Sequence, residues 1–156
     1  MNERADAVRE LDSVLRELRH GRFGLYGPVV RERFLSGLPG EVTATGYRVL
    51  RFVEASSPPP PALSDIADLL LTDRARAVRV VDQLVEQDLV RRVRDVVDRR
   101  TRRVELTETG RDFLTRATAH RSRLLEAVLL DWSDEDLERL SHCIERLNES
   151  VARHSW

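Results

Sequence analysis

The chain has 156 residues, enough for one domain wrapped by extra helices and too few for two independent enzymatic domains. Apolar residues make up 41% and charged residues 34%, the balance of a folded globular chain rather than a disordered one. The net charge is -1 but uneven: Leu71 to Val104 holds ten arginines against six carboxylates, a local +4 that leaves -5 for the rest.

No run approaches the roughly 18 to 20 apolar residues that cross a bilayer, and Met1, Asn2, Glu3 and Arg4 open into a charged helical pattern rather than a signal peptide. The expectation is a cytoplasmic chain with no membrane partner. The single cysteine, Cys143, excludes an internal disulfide, supplies no CxxC spacing, and reads as a small buried hydrophobe. His20, His120, His142 and His154 are scattered, and neighbours on a helix such as His142 and Cys143 point in different directions, so no metal and no cofactor are expected. There is no glycine-rich phosphate loop, no HExxH and no nucleophile elbow. The acids Asp131, Asp134, Glu135 and Asp136 sit where a helix begins and complement its dipole, so an enzyme is not expected.

In chain order, Val8, Leu11, Leu15 and Leu18 recur at steps of three, four and three, the seam of an amphipathic helix ended by Gly21. Val29 to Leu35 forms a short second piece after Gly27 and Pro28. A third helix is predicted from Thr43, a plausible N-cap, through Tyr47, Val49, Leu50 and Phe52 to about Glu54. Ser56, Ser57 and Pro58 to Pro61 stop it, and this short proline run between two helices reads as a rigid connector rather than a polyproline ligand. Ser64 is predicted to cap a short helix carrying Ile66, Ala67, Leu69 and Leu70. Thr72 or Asp73 then caps a longer one in which Ala77, Val80, Val81 and Leu84 share a face. Two helices joined by a tight polar turn form a helix-turn-helix pattern.

After Gln87 and Asp88 the period becomes extended around Val90 and Val93, and again around Val104 and Leu106, with a charged tip from Asp95 to Arg102. A hairpin attached directly to a helix-turn-helix is a wing. Thr107 can cap a long helix with Phe113, Leu114, Ala117, Leu124, Leu125 and Val128, and Ser133 with Asp136 resembles a capping box. The last helix carries Leu137, Leu140, Ile144, Leu147 and Val151 at steps of three, four, three and four, a narrow coiled-coil-like seam. The seams at the two ends of the chain are expected to build a homodimer interface.

The helix after the turn would enter a major groove, where each base pair shows a distinct pattern of donors and acceptors. It presents Arg76, Arg79 and Gln83 outward, with Arg74 in its first turn; arginine suits guanine O6 and N7, and glutamine suits adenine. The wing carries Arg91, Arg92, Arg94, Arg99, Arg100, Arg102 and Arg103 against only Asp95 and Asp98, a cluster expected to repel itself unless phosphates neutralise it. Arg99, Arg100 and Arg102 are the candidate contacts there, with Asp98 placed to orient a neighbouring guanidinium. The partner expected from this pattern is double-stranded DNA.

The runs Leu89-Val90-Arg91-Arg92, Asp98-Arg99-Arg100 and Val104-Glu105-Leu106-Thr107-Glu108-Thr109-Gly110 resemble the wing signature of the MarR family of bacterial repressors, and Val81-Asp82-Gln83-Leu84 resembles the end of its recognition helix. The resemblance is good from about Val42 to Leu114. It implies a mainly α fold with a small β-hairpin wing (α+β): residues 1–41 an N-terminal dimerisation region, 42–114 the winged helix-turn-helix lobe, and 115–156 the C-terminal dimerisation helices. It further implies a repressor acting as a dimer, with Arg100 entering a minor groove and Asp98 orienting it. Small anionic aromatic effectors are implied as well, in a pocket drawn from Phe23 to Phe34, Tyr47 and the region of Phe113, positions whose residues by themselves read first as ordinary core. Two positions depart from the family pattern: Asp88 stands where Gly usually ends the recognition helix, and Asp73 where Ser usually caps it. The rival reading is a winged-helix protein-interaction module without DNA specificity, which would not be expected to keep these arginines.

Overall fold

In the computed structural model, which describes residues 3–21, 27–38, 40–56, 58–95 and 100–154, the helix-turn-helix is built on capped, amphipathic segments. Helix α3 (Ala44–Ala55) opens on Thr43, whose hydroxyl accepts from the Gly46 N–H at 3.1 Å, and buries Val49, Leu50 and Val53. Helix α4 (Leu63–Leu70) begins earlier than the sequence suggests. Ser64 lies inside it, and Ala62 holds the cap position with no side-chain acceptor of its own. Burial of Leu63 beside Ile66 draws position 63 into the first turn, and the Asp65 carboxylate accepts from the Ala62 N–H at 2.8 Å. Helix α5 (Arg74–Glu86) is capped by Asp73, which accepts from the Arg76 N–H at 2.8 Å, and it buries Ala77, Val81 and Leu84.

Strands β1 (Val90–Arg94) and β2 (Arg102–Leu106) pair antiparallel, with Val90 opposite Leu106, Arg92 opposite Val104 and Arg94 opposite Arg102. Since side chains alternate across a strand, one face of this ribbon is apolar at its root (Val90, Val104, Leu106) and cationic toward its tip (Arg92, Arg94, Arg102). The proline run does more than connect. Its Pro61 carbonyl accepts from the Val104 N–H at 2.9 Å, and Ala62 forms an isolated antiparallel bridge to Arg103, so the end of the segment is held against β2. Prolines suit this edge because they need only offer carbonyls.

Helix α6 (Glu108–Val128) starts against the end of α5. Thr107 caps it by accepting from the Gly110 N–H at 2.9 Å, while its own backbone N–H donates to the Leu89 carbonyl at 3.2 Å. A Cβ on Gly110 would collide with that same carbonyl, which is why the Leu-Thr-x-x-Gly run ends in glycine. Phe113, Leu114 and Ala117 of α6 close the core over α3, α4, α5 and the ribbon. Fully burying one leucine or phenylalanine in such a core is worth about 1.5–3 kcal/mol.

The chain divides into two compact units, residues 1–121 and 122–156. In the first, α1 (Glu3–His20) buries none of its residues and exposes Val8, Leu11, Leu15 and Leu18; α2 (Pro28–Ser36) follows it. In the second, α7 (Asp134–Arg153) opens on Ser133, which accepts from the Asp136 N–H at 3.2 Å and donates to the Asp136 carboxylate at 2.7 Å. This helix also buries none of its residues. Leu140, Ile144, Leu147 and Val151 are exposed and Leu137 half-buried. Cys143 is exposed too, against the expectation of a buried hydrophobe, on a helix that buries none of its residues. Among the described residues no helix is long and apolar enough to cross a membrane.

Candidate nucleic-acid interface

The recognition helix divides by face. Ala77, Val81 and Leu84 lock one side of α5 into the core, Arg76, Arg79 and Gln83 stand exposed on the other, and Arg74 is exposed in the first turn. A helix anchored in this way offers its cations on a rigid support, so little backbone ordering is required when they meet a partner. The Asp73 carboxylate is engaged at the helix N-terminus, where a negative charge is favourable.

The helix ends at Gln87, and Asp88 follows in a left-handed conformation with φ 54°. Glycine would take this conformation without a Cβ penalty. Asp88 gains a tether instead: its carboxylate accepts from the Thr109 hydroxyl at 2.9 Å, and its carbonyl accepts from the Thr107 hydroxyl.

The wing arginines fall into two groups. Arg92 donates through Nη1 to Asp82 of α5 at 2.6 Å, with Nη2 reaching the Val78 carbonyl at 3.5 Å. Arg91 pairs with Glu105 directly across the ribbon, and Arg103 pairs with Asp95 and donates to the Pro60 carbonyl at 2.7 Å. Among the described wing cations Arg91, Arg92 and Arg103 are thus paired with carboxylates of the same chain, so the wing is less self-repelling than its composition suggests.

Arg94 and Arg102 remain exposed and directly opposite one another. Like charges so placed cost roughly 0.2–1 kcal/mol until an anion lies between them. Arg100 is exposed in the turn two residues before β2. Arg99 and Asp98 lie outside the described residues, so the proposed orienting of the tip arginine by Asp98 does too.

Sequence reasoning puts Arg76, Arg79 and Gln83 on one outward face with Arg74 in the first turn, and all four are exposed on α5. It misses the Arg92–Asp82 strut and the Arg103–Asp95 pair, because residue pairing across a ribbon depends on register. The alternation of Val90, Arg92 and Arg94 holds the available signal.

Of the aromatic positions suggested for an effector, Phe113 is core. Phe34 meets Tyr47 edge-on, with ring centroids 5.1 Å apart, and stacks on His120 at 5.8 Å. His120 Nε2 is buried, has no hydrogen-bond partner among the described residues, and lies against Gly37. Phe23 lies outside the described residues. Nothing in the spacing of Phe34 and His120 foretells their contact.

A sequence model of the MarR family matches residues 41–101, from the start of α3 into the wing. Among solved structures, a MarR-like transcriptional regulator from Thermotoga maritima shares 32% identity at a TM-score of 0.60, covering 81% of this chain and 92% of that one. A MarR family protein from Bacillus stearothermophilus superposes at a TM-score of 0.71 with 21% identity, covering 98% of this chain and 99% of its own. The transcriptional regulator BldR from Sulfolobus solfataricus gives 0.64 with 22% identity over 99% of this chain and 100% of its own. These last two share the fold; the first, by its identity and coverage, shares the family. With the winged helix-turn-helix in place and the family pattern matched across it, the chain belongs to the MarR family of winged-helix transcriptional regulators.

Proposed function

We propose that this chain is a cytoplasmic, ligand-responsive repressor that binds a pseudo-palindromic operator in double-stranded DNA as a homodimer. The observation that carries the proposal is the exposed row Arg76, Arg79 and Gln83, with Arg74 exposed in the first turn, on a helix whose opposite face is locked in the core. The same lobe carries a ribbon with Arg94 opposite Arg102, and the Arg92–Asp82 pair ties ribbon to helix. Helix residues then read base edges in the major groove while Arg94, Arg100 and Arg102 meet phosphates or the adjacent minor groove, as the sequence also suggests for Arg99.

The homodimer is supported by two amphipathic helices, α1 and α7, whose apolar seams a single chain leaves uncovered. Two-fold symmetry then sets half-sites about one helical turn apart. A small anionic aromatic effector would enter beside Phe34, Tyr47 and His120, where the unpartnered Nε2 offers a polar handle among apolar rings.

Selection of duplexes from a random pool tests this reading. Enrichment of a two-fold symmetric sequence is expected. Enrichment of no sequence would overturn DNA specificity and favour a protein-interaction module.

A further inference from the structure

Arg103 differs from the other wing cations in where its guanidinium goes. It lies on the ribbon face opposite Arg92, Arg94 and Arg102, and its side chain is only 22% exposed. Its Nε donates to the Asp95 carboxylate, whose side chain is 9% exposed, and its Nη1 donates to the Pro60 carbonyl at 2.7 Å. A carboxylate this buried is tolerable only when paired. The planar fork of arginine can serve two acceptors at once, which an ammonium point charge does less well. Pro60 has no N–H to offer, so this edge of the fold can only accept, and Arg103 and the Val104 N–H are the donors that meet it.

These contacts converge on the root of the wing. Asp95 follows the last residue of β1, and its N–H donates to the Thr101 carbonyl at 3.1 Å just before β2 begins. Arg103 therefore joins both ends of the wing tip to the Pro58–Pro61 segment. Fixing the ends of a loop reduces the conformational freedom that its arginines give up on entering a groove.

Resting on the DNA-binding reading above, we infer that Arg103 and Asp95 are positioning residues for the wing: they raise DNA affinity by fixing the ends of the tip to the proline segment without touching DNA. The salt dependence of binding separates this role from phosphate neutralisation. Each cation withdrawn from a B-DNA phosphate lowers the slope by about 0.9, whereas a wing that is merely less well positioned keeps its slope.

The test uses the full chain and a duplex selected by the wild type from a random pool, with affinity measured against salt well below each variant's unfolding temperature. Arg103→Met and the isosteric Asp95→Asn are each expected to weaken binding about tenfold with the salt slope unchanged, and Arg103→Lys to recover only part of that affinity. Arg102→Met, by contrast, is expected to lower the slope by about 0.9 for each phosphate left without its cation. Wild-type affinity in both Arg103→Met and Asp95→Asn, or a slope that falls in Arg103→Met as it does in Arg102→Met, would overturn the inference alone. A wild-type chain that enriches no sequence would overturn the DNA-binding reading and the inference with it.

Discussion

Asp82 of the recognition helix accepts from Arg92 of the wing at 2.6 Å, one residue from Gln83 on the same helix. This pair sets the wing beside the face that carries Arg76, Arg79 and Gln83, so the two elements proposed to read DNA form one support. Both side chains are part-exposed, and such pairs are worth about 0–1 kcal/mol. Asp82→Ala should therefore lower stability by less than about 1 kcal/mol. A double-mutant cycle with Arg92→Ala should return a small favourable coupling in urea unfolding, and zero coupling would mean the pair does not form in solution.

Gly110 admits no side chain, because the Leu89 carbonyl occupies the space and backbone cannot yield as a flexible side chain can. Gly110→Ala should destabilise the chain by about 1–3 kcal/mol, as overpacking does, despite the gain in helix propensity. Gly46→Ala is the contrast: its Cβ would meet the Leu84 side chain at 3.3 Å and the Thr43 hydroxyl at 3.4 Å, approaches that small shifts relieve. Its effect should be well under that of Gly110→Ala, and equal urea midpoints for the two would refute the close-approach argument.

Among the described residues, two other than glycine hold left-handed backbone, Leu71 at φ 51° and Asp88 at φ 54°. Leu71 is 91% exposed, so glycine there removes strain and gives up no packing. Leu71→Gly should stabilise by about 0.5–1 kcal/mol after the added freedom of the unfolded chain is counted, raising Tm by a few degrees. Asp88→Gly removes similar strain but also the 2.9 Å hydrogen bond from Thr109, so thermal unfolding should show little net change. A Leu71→Gly variant that melts below wild type would contradict the strain assignment.

How far the sequence can be read follows the range of the interactions involved. Thr43, Asp73, Thr107 and Ser133 cap their helices because a cap is decided within three residues, and a period of 3.6 suffices to separate Ala77, Val81 and Leu84 from Arg76 and Arg79. Ser64 does not act as a cap because tertiary burial of Leu63 moves the helix start. The pairings of Arg91, Arg92 and Arg103, the use of Pro60 and Pro61 as acceptors, and the stacking of His120 on Phe34 join residues distant in sequence, where local pattern carries no signal. Cys143 reads as a small buried hydrophobe from its residue type, yet it lies beside the seam of a helix that buries none of its residues in the single chain.

The uncovered seams make a separate prediction. Ile144 is 47% exposed in the single chain, on a helix that buries nothing. A dimer would cover it, so Ile144→Asp should shift sedimentation equilibrium toward monomer, as should Leu11→Asp on α1, because an unpaired buried carboxylate is strongly unfavourable. A wild-type chain that sediments as a monomer at all concentrations would exclude the proposed dimer.

DNA binding by the arginine-bearing face of α5 and by the wing is decided by a salt titration. Binding of the purified chain to duplex from upstream of its own gene would be compared with a scrambled duplex of equal length. The expected result is tighter binding to the first duplex, log affinity falling linearly and steeply with log salt, and no such preference in Arg76→Ala/Arg79→Ala. Equal binding to both duplexes, or an affinity indifferent to salt, would contradict it.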